Sequence, residues 1–290
     1  MKPPPFDYHA PRDVGAALRT LAEVRGKVLA GGQSLIPMLN MRLAAPEHLV
    51  DINRVASLGG IGSTEAGVTV GALARHGEVE RAGAHPLLTR ALKLVAHPVI
   101  RNRGTVVGSL VHADPAAELP AVLAVLGGSV RVARWEGDSQ VTREVPAEDF
   151  FVGPMESAVQ PGELAVSAYF PALGPRTGGA FEEVARRHGD YALAGVCAVV
   201  TLDEDACVSA ARVACIGVGP VPVVVDVAGA CGYRPAHEAD WAGAARAVMD
   251  ETEPEGDIHA SAAYRRHLVR VLAERALRNA AREGAAIRGA

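Results

Sequence analysis

The order in which patterns change along this 290-residue chain predicts an α+β protein built from two or three packed subdomains. Three observations predict it. Short apolar strands alternate with helical spacings over the first fifty residues, a mixed run of strands and helices follows, and from about Gly178 alternating apolar runs joined by tight turns give way to terminal helices. Hydrophobic residues make up 49% of the chain, enough to fill cores of that size.

Taken in order, "DVGAALRTLAEV" places Val14, Ala17, Leu18 and Leu21 at helical spacing with Asp13 as the cap. "KVLAGG" reads as a short buried strand ending in glycine, and "HLVDI" from His48 to Ile52 as a second; both are apolar, as buried parallel strands are. Between them "SLIPMLNMRLAAP" is a short helix or irregular turn interrupted by Pro37. "GVTVGAL" from Gly67 alternates as a strand, and "RHGEVERAGAHPLLTRALKLVA" is helical around a break at Pro86. "AVLAVLGGSVRVAR" passes from helix through Gly127 and Gly128 into a strand, with more strand in "TREVPAEDFFVGP" and "ELAVSAYFP". After Gly178, "GAFEEVARR" and "GVCAVVTLDEDACVSAARVACIGVGPVPVVV" predict three antiparallel strands joined by a "DEDA" turn and a Gly-Pro corner. The final helix puts Tyr264, Leu268, Val271 and Leu272 on one face and its arginines on a solvated one.

Charge and composition exclude several functions. The net charge of -4, with acids and bases interspersed, lacks the basic footprint of a nucleic-acid or anionic-membrane partner. No window has the apolar run of a membrane span, and the opening "MKPPPFDYHAPRDV" has no secretory h-region, so a cytoplasmic location is expected. The four cysteines, Cys197, Cys207, Cys215 and Cys231, form no CxxC pair; they read as buried reduced residues, and no metal site is expected.

Two glycine turns carry the candidate chemistry: "AGGQSLIP" at Ala30 to Pro37 and "RGTVVGSLVHADPA" at Arg103 to Ala116. Glycine lets backbone N–H groups approach an anion closely, and Ser or Thr hydroxyls add hydrogen bonds. Neither turn matches GxGxxG or GxxxxGK[ST], so composition and spacing stop at two candidate anion-binding turns; each on its own reads first as a plain tight turn, and the pair together points to a ligand.

The stretches "AGGQSLIPMLNMRLAAPEHLVDI", "HPVIRNRGTVVGSLVHADPAAELPA" and "RRHGDYALAGV" resemble the FAD-binding medium subunit of the molybdenum hydroxylases, the group of aerobic carbon monoxide dehydrogenase and xanthine dehydrogenase. The likeness runs nearly end to end, from "KPPPFDYHAP" to "DIHASAAYRRHLVRVLAERAL". It implies a two-subdomain FAD-binding fold of the vanillyl-alcohol-oxidase/PCMH type over residues 1–175, with subdomains of about 1–53 and 54–175. It also implies a C-terminal domain over 176–290, a three-stranded antiparallel sheet with a helix bundle.

By that resemblance Ala30, Gly31, Gly32, Gln33, Ser34 and Leu35 wrap the FAD diphosphate, while Thr105, Gly108 and Ser109 grip its other side. His112, Ala113 and Asp114 line the same groove, and Glu118 stands near the ribose or adenine end. Leu164 matches a position near the flavin, and Asp190 and Tyr191 match the segment beside the isoalloxazine, where Tyr191 is a candidate ring neighbour. No catalytic residue is expected, because flavin chemistry needs binding, orientation and tuning rather than a nucleophile or acid-base pair. The resemblance implies a molybdopterin-containing large subunit and a two-iron two-sulfur small subunit as partners, with electrons passing through FAD to NAD, a quinone or oxygen. A free-standing FAD oxidoreductase and a flavin-free scaffold subunit are the alternatives.

Two departures from the family pattern stand out. Val107 occupies the place of a glycine, and its Cβ is expected to obstruct close approach to the pyrophosphate. Glu182 and Glu183 stand where a lysine often follows the Phe; an acid near the ring is expected to disfavour reduced anionic flavin and lower its potential.

Overall fold

The computed structural model describes residues 2–287. Strands β1 (Asp7–His9), β2 (Lys27–Leu29) and β3 (His48–Asp51) form a parallel sheet in the order β1-β3-β2. Helix α1 (Val14–Val24) is capped by Asp13, whose Oδ1 accepts the Ala16 N–H at 2.8 Å, and buries Ala17, Leu18 and Leu21 as their spacing predicts. Helix α2 (Leu35–Asn40) follows β2; Pro37 lies in its first turn, where a missing N–H costs nothing, so the proline does not interrupt it.

The next region holds β4 (Ile61–Thr64), β5 (Gly67–Gly71), α3 (His76–Ala82), α4 (Pro86–Leu94), α5 (Pro98–Arg101), α6 (Val106–His112) and α7 (Glu118–Leu126). It continues through β6 (Ser129–Glu136), β7 (Ser139–Pro146), α8 (Ala147–Phe150), β8 (Phe151–Gly153), β9 (Glu156–Ser157) and β10 (Leu164–Pro171). Five of these strands form one antiparallel sheet, β4-β5-β10-β6-β7, and β8 pairs with β9. The predicted break at Pro86 is the first residue of α4, where proline's fixed φ suits a helix start. Helix α7 is apolar all round, and every residue from Glu118 to Val125 is buried, because it lies between structural layers rather than on a surface.

The C-terminal sheet has four strands, not three: β11 (Thr177–Ala185), β12 (Ala192–Leu202), β13 (Val208–Ile216) and β14 (Val223–Asp226), all antiparallel. Beyond the Gly-Pro corner the chain returns to pair Val223 with Cys215, which the run "PVPVVV" conceals because its prolines punctuate the approach. In place of a bundle, two helices follow, α9 (Trp241–Asp250) and α10 (Ala262–Ala286), and α10 covers β11 and β12. Strand alternation gives this sheet two apolar faces. Cys197, Ala214 and Ile216 join the core that contains Leu119, Val122 and Leu123 of α7, whereas Val196, Ala198, Val213 and Cys215 pack with Leu268, Leu272 and Ala276 of α10.

The buried face of α10 centres on Leu268, Val269, Leu272, Ala273 and Ala276; Tyr264, expected there, is exposed. One arginine departs from the solvated face. Arg265 is 8% exposed and donates to the carbonyls of Leu193 and Gly217 and to Asp257 Oδ2 (2.7 Å), tying the ends of β12 and β13 to the helix. Farther along α10, Glu283 takes a two-pronged ion pair from Arg90 of α4 (2.5 and 2.6 Å) and the Gly179 N–H (3.0 Å).

Candidate functional site

The first glycine turn leaves β2 and enters α2. Gly32 adopts a left-handed φ of 73°, which a Cβ would strain. Among the described residues, no hydrogen-bond acceptor meets the N–H groups of Gly31, Gly32, Gln33, Ser34 or Leu35. Five consecutive free donors make a concave, partly positive surface that an anion satisfies. Gln33 Nε2 folds back to the Gly31 carbonyl (3.2 Å).

The second turn packs directly on the first. A Cβ on Gly31 would stand 2.5 Å from the Arg103 carbonyl oxygen and 2.9 Å from Gly104 Cα, so only glycine permits this closeness. Thr105 serves the fold, since its Oγ1 caps α6 by accepting the Gly108 N–H at 3.1 Å. That bond takes both a lone pair of the Thr105 hydroxyl and the Gly108 donor, the groups expected to face the cofactor. Ser109 stands half-buried one residue on. The obstruction expected of Val107 does not arise, because its side chain is 2% exposed and belongs to the core together with Val106 and Leu110. A helix turns that position inward, so the missing glycine leaves no Cβ in the space between the turns.

Polar side chains that carry no motif, and that sequence reasoning misses, hold the turns from behind. Asn53 Nδ2 donates to the Ala30 carbonyl (2.8 Å) and to Asp51 Oδ1 (2.6 Å), while Asn53 Oδ1 accepts from Arg75 (2.6 Å). Arg75 donates in turn to the Arg103 carbonyl (2.7 Å). Asp51 also accepts the Tyr8 hydroxyl (2.5 Å) and the Asn53 N–H (2.8 Å). Although burial opposes it, these hydrogen bonds hold the Asp51 carboxyl below the usual carboxylate range. His76 lies under the second turn, with Nε2 2.9 Å from the Thr105 carbonyl; burial pushes its pKa down to about 4, so the ring is neutral and Nε2 donates.

Past α6 the chain turns at Ala113, left-handed with φ 51°, whose carbonyl accepts the Met155 N–H at 2.9 Å. Asp114 Oδ1 accepts the Ala116 N–H (2.9 Å), and the Pro115 carbonyl accepts the Gly217 N–H of the C-terminal sheet (2.8 Å). Burial lowers the His112 pKa; the charge of Asp114 opposes that shift and Lys27 of β2 adds to it.

Glu118, 7% exposed, is raised to about 8 by burial and then by the charge of Glu183. Glu183 is itself raised to about 7 by burial, and its Oε2 is buried with no partner among the described residues. Both carboxyls therefore keep their protons to well above the usual carboxylate range. Strand alternation separates the two acids of "FEEV". Glu182 turns to α10, accepting from Asn279 (2.8 Å) near Arg275 (3.6 Å), so only Glu183 faces the Glu118 side.

Tyr191 is 60% exposed; partial burial of its hydroxyl, then the charges of Asp114 and Glu118, raise its pKa. Asp190 pairs with Arg187 (3.2 Å) and Arg186 (3.6 Å). The loop carrying them rests on the second turn's approach, since a Cβ on Gly189 would stand 2.7 Å from the His97 ring. The fold thus brings residues 30–35 against Arg103 and Gly104, and gathers Asp114, Glu118 and Tyr191 at the junction with the C-terminal sheet. Leu164 stands apart: it is 2% exposed in the core, paired with Ala133, and no hydrogen bond among the described residues joins it to either turn.

Comparison with known proteins names the family. Residues 4–173 match the FAD binding domain in molybdopterin dehydrogenase, and residues 179–280 match the CO dehydrogenase flavoprotein C-terminal domain. This chain belongs to the FAD-binding medium subunits of the molybdenum hydroxylases. It is 41% identical over 287 residues to the 6-hydroxypseudooxynicotine dehydrogenase complex subunit alpha of Paenarthrobacter nicotinovorans, covering 97% of this chain and 96% of that one. It is 36% identical to the carbon monoxide dehydrogenase medium chain of Hydrogenophaga pseudoflava, covering 96% and 97%. The solved carbon monoxide dehydrogenase from that organism superposes with a TM-score of 0.89 at 36% identity over 97% of this chain and 98% of the other.

As a medium subunit the chain is an FAD-dependent oxidoreductase component, and FAD is its cofactor. The residues of the first turn fit such a cofactor chemically: unpaired N–H donors are what a diphosphate would need, and a glycine without room for a Cβ lets the two turns meet. Among the described residues no helix is long and apolar enough to cross a membrane.

Proposed function

We propose that this medium subunit works as the electron-transfer subunit of a molybdenum hydroxylase complex, joined to a molybdopterin-bearing large subunit and a two-iron two-sulfur small subunit. FAD, held by residues of the two glycine turns, would supply the redox chemistry that links the iron-sulfur clusters to an external acceptor. The observation that carries this reading is the contact between two glycine turns, one presenting five free N–H donors, in a chain that matches such subunits almost end to end.

In this reading residues 1–175 bind the cofactor and residues 176–290 close over its ring. The N–H groups of Gly31 to Leu35 neutralise the diphosphate, and the Ser34 and Ser109 hydroxyls add donors. Tyr191 shields the ring from solvent. Glu118 and Glu183 hold protons in the crevice, and their ionisation tunes the potential downward as pH rises.

Coexpression of this chain, tagged, with candidate large and small subunits tests the assignment. Recovery of molybdenum, iron and flavin in one assembly is the expected result. A lone yellow protein that turns over a small molecule would overturn it in favour of a free-standing oxidoreductase, and a colourless protein whose Tm ignores added FAD would leave only a scaffold.

A further inference from the structure

The two turns that approach the cofactor share one polar brace. A peptide plane carries its C=O and the following N–H on opposite sides. With the Ala30 carbonyl drawn back to Asn53 Nδ2 at 2.8 Å, the Gly31 N–H is turned toward the open side of the turn, where no protein acceptor meets it among the described residues. The Arg103 carbonyl is the surface on which Gly31 rests, and Arg75 holds that carbonyl at 2.7 Å. Asn53 and Arg75 are joined at 2.6 Å, so a single chain of hydrogen bonds runs from one turn to the other. The spacing of the turns and the aim of the first donor are therefore set together.

We propose that Asn53 and Arg75 act as one spacer that fixes the separation of the two glycine turns and thereby sets how tightly FAD is retained. The inference rests on the reading of these turns as the diphosphate cradle. Both are positioning residues, acting through the carbonyls of Ala30 and Arg103. The Asn53 amide is fully committed, with both functions engaged and Asp51 anchoring it from behind. The Arg75 guanidinium spans two acceptors, which suits a planar fork and which a lysine ammonium does not reproduce.

The test measures FAD affinity and release on the full chain, with the Tm of the apoprotein and the visible circular dichroism of the bound flavin as further readouts. Asn53→Ala and Arg75→Met are each expected to raise the FAD Kd about tenfold or more, and the double variant to cost little beyond either single change, as members of one unit do. Arg75→Lys keeps the charge and most of the volume but loses the fork, and is expected to resemble Arg75→Met, with an altered dichroic signal in whatever flavin remains. Gly31→Ala serves as the control for the cradle itself. If Gly31→Ala loses FAD while Asn53→Ala and Arg75→Lys bind it within about twofold of the parent, the spacer is overturned and the cradle stands. Retention by all three overturns the cradle reading and the spacer with it. Should Asn53→Ala fail to fold, Arg75→Lys decides the matter, since near-parental affinity there reduces Arg75 to a charge.

Discussion

Replacing Gly31 by alanine isolates the contact between the turns. Gly31 lies outside the left-handed region, so alanine meets no backbone penalty and the effect is steric alone. The added Cβ would sit 2.5 Å from the Arg103 oxygen, 2.9 Å from Gly104 Cα and 3.2 Å from the Arg103 carbonyl carbon. All three are backbone atoms, and comfortable carbon contacts begin at about 3.5 Å, so the turns must part by roughly 0.5–1 Å. Overpacking of this kind costs about 1–3 kcal/mol of stability. Hydrogen bonds to a charged group contribute about 1.5–3 kcal/mol each, so misdirecting two of the free donors raises the FAD Kd by about two to four decades. Titration of apoprotein by flavin fluorescence measures the second effect, and thermal unfolding without FAD measures the first. A Gly31→Ala protein that binds FAD within about threefold of the parent would refute the argument that the turns must touch to work.

Other outcomes follow from the same geometry. Gly32→Val, at φ 73°, loses flavin on purification, whereas Cys207→Ser, remote in function, retains it; equal absorbance at the flavin bands in both variants would move the site elsewhere. Glu118 has a folded pKa of about 8 against an ordinary 4.5, so its contribution is complete below pH 4.5 and is lost as pH rises through about 8. Apoprotein Glu118→Gln is accordingly more stable than the parent at about pH 8 and little changed at about pH 5, at roughly 1.4 kcal/mol per pKa unit as an upper bound; parallel Tm profiles would contradict this. Glu283→Ala removes the Arg90 fork between α4 and α10 and destabilises by about 1–2 kcal/mol, a figure discounted for partial exposure and read from urea unfolding.

The sequence made some features plain and hid others for physical reasons. Asp13 with Ala17, Leu18 and Leu21 announced α1 because cap and periodicity act within a few residues. The glycines of "AGGQSL" were visible because a turn with left-handed φ leaves a compositional mark. Asn53 and Arg75 leave none: the hydrogen bonds that tie them to the turns and to each other span 22 or more residues, and the only local hint is the Asp51-x-Asn53 turn after the strand. Val107 misled because motif comparison registers the residue type, whereas a helix start decides where its Cβ points. Thr105 drew notice as a cofactor-facing hydroxyl, yet its hydroxyl oxygen caps its own helix, a role that a threonine three residues before a glycine does not reveal by residue type. The fourth strand, Val223–Asp226, was absorbed into its neighbour because a proline-punctuated approach blurs the break between runs.

The C-terminal sheet, with α7 against one face and α10 against the other, bears on how such subunits are exchanged among relatives. A graft joined between Pro171 and Thr177 would transplant Cys197, Ala214 and Ile216 onto a foreign α7, and Gly217 onto a foreign Pro115. A hybrid with mismatched surfaces there is strained or hollow at the α7 face, the kind of core misfit that costs about 1–3 kcal/mol. Successful chimeras must carry the α7 surface and the Asp114–Ala117 turn along with the sheet, so the heritable module is wider than the boundary drawn by chain order.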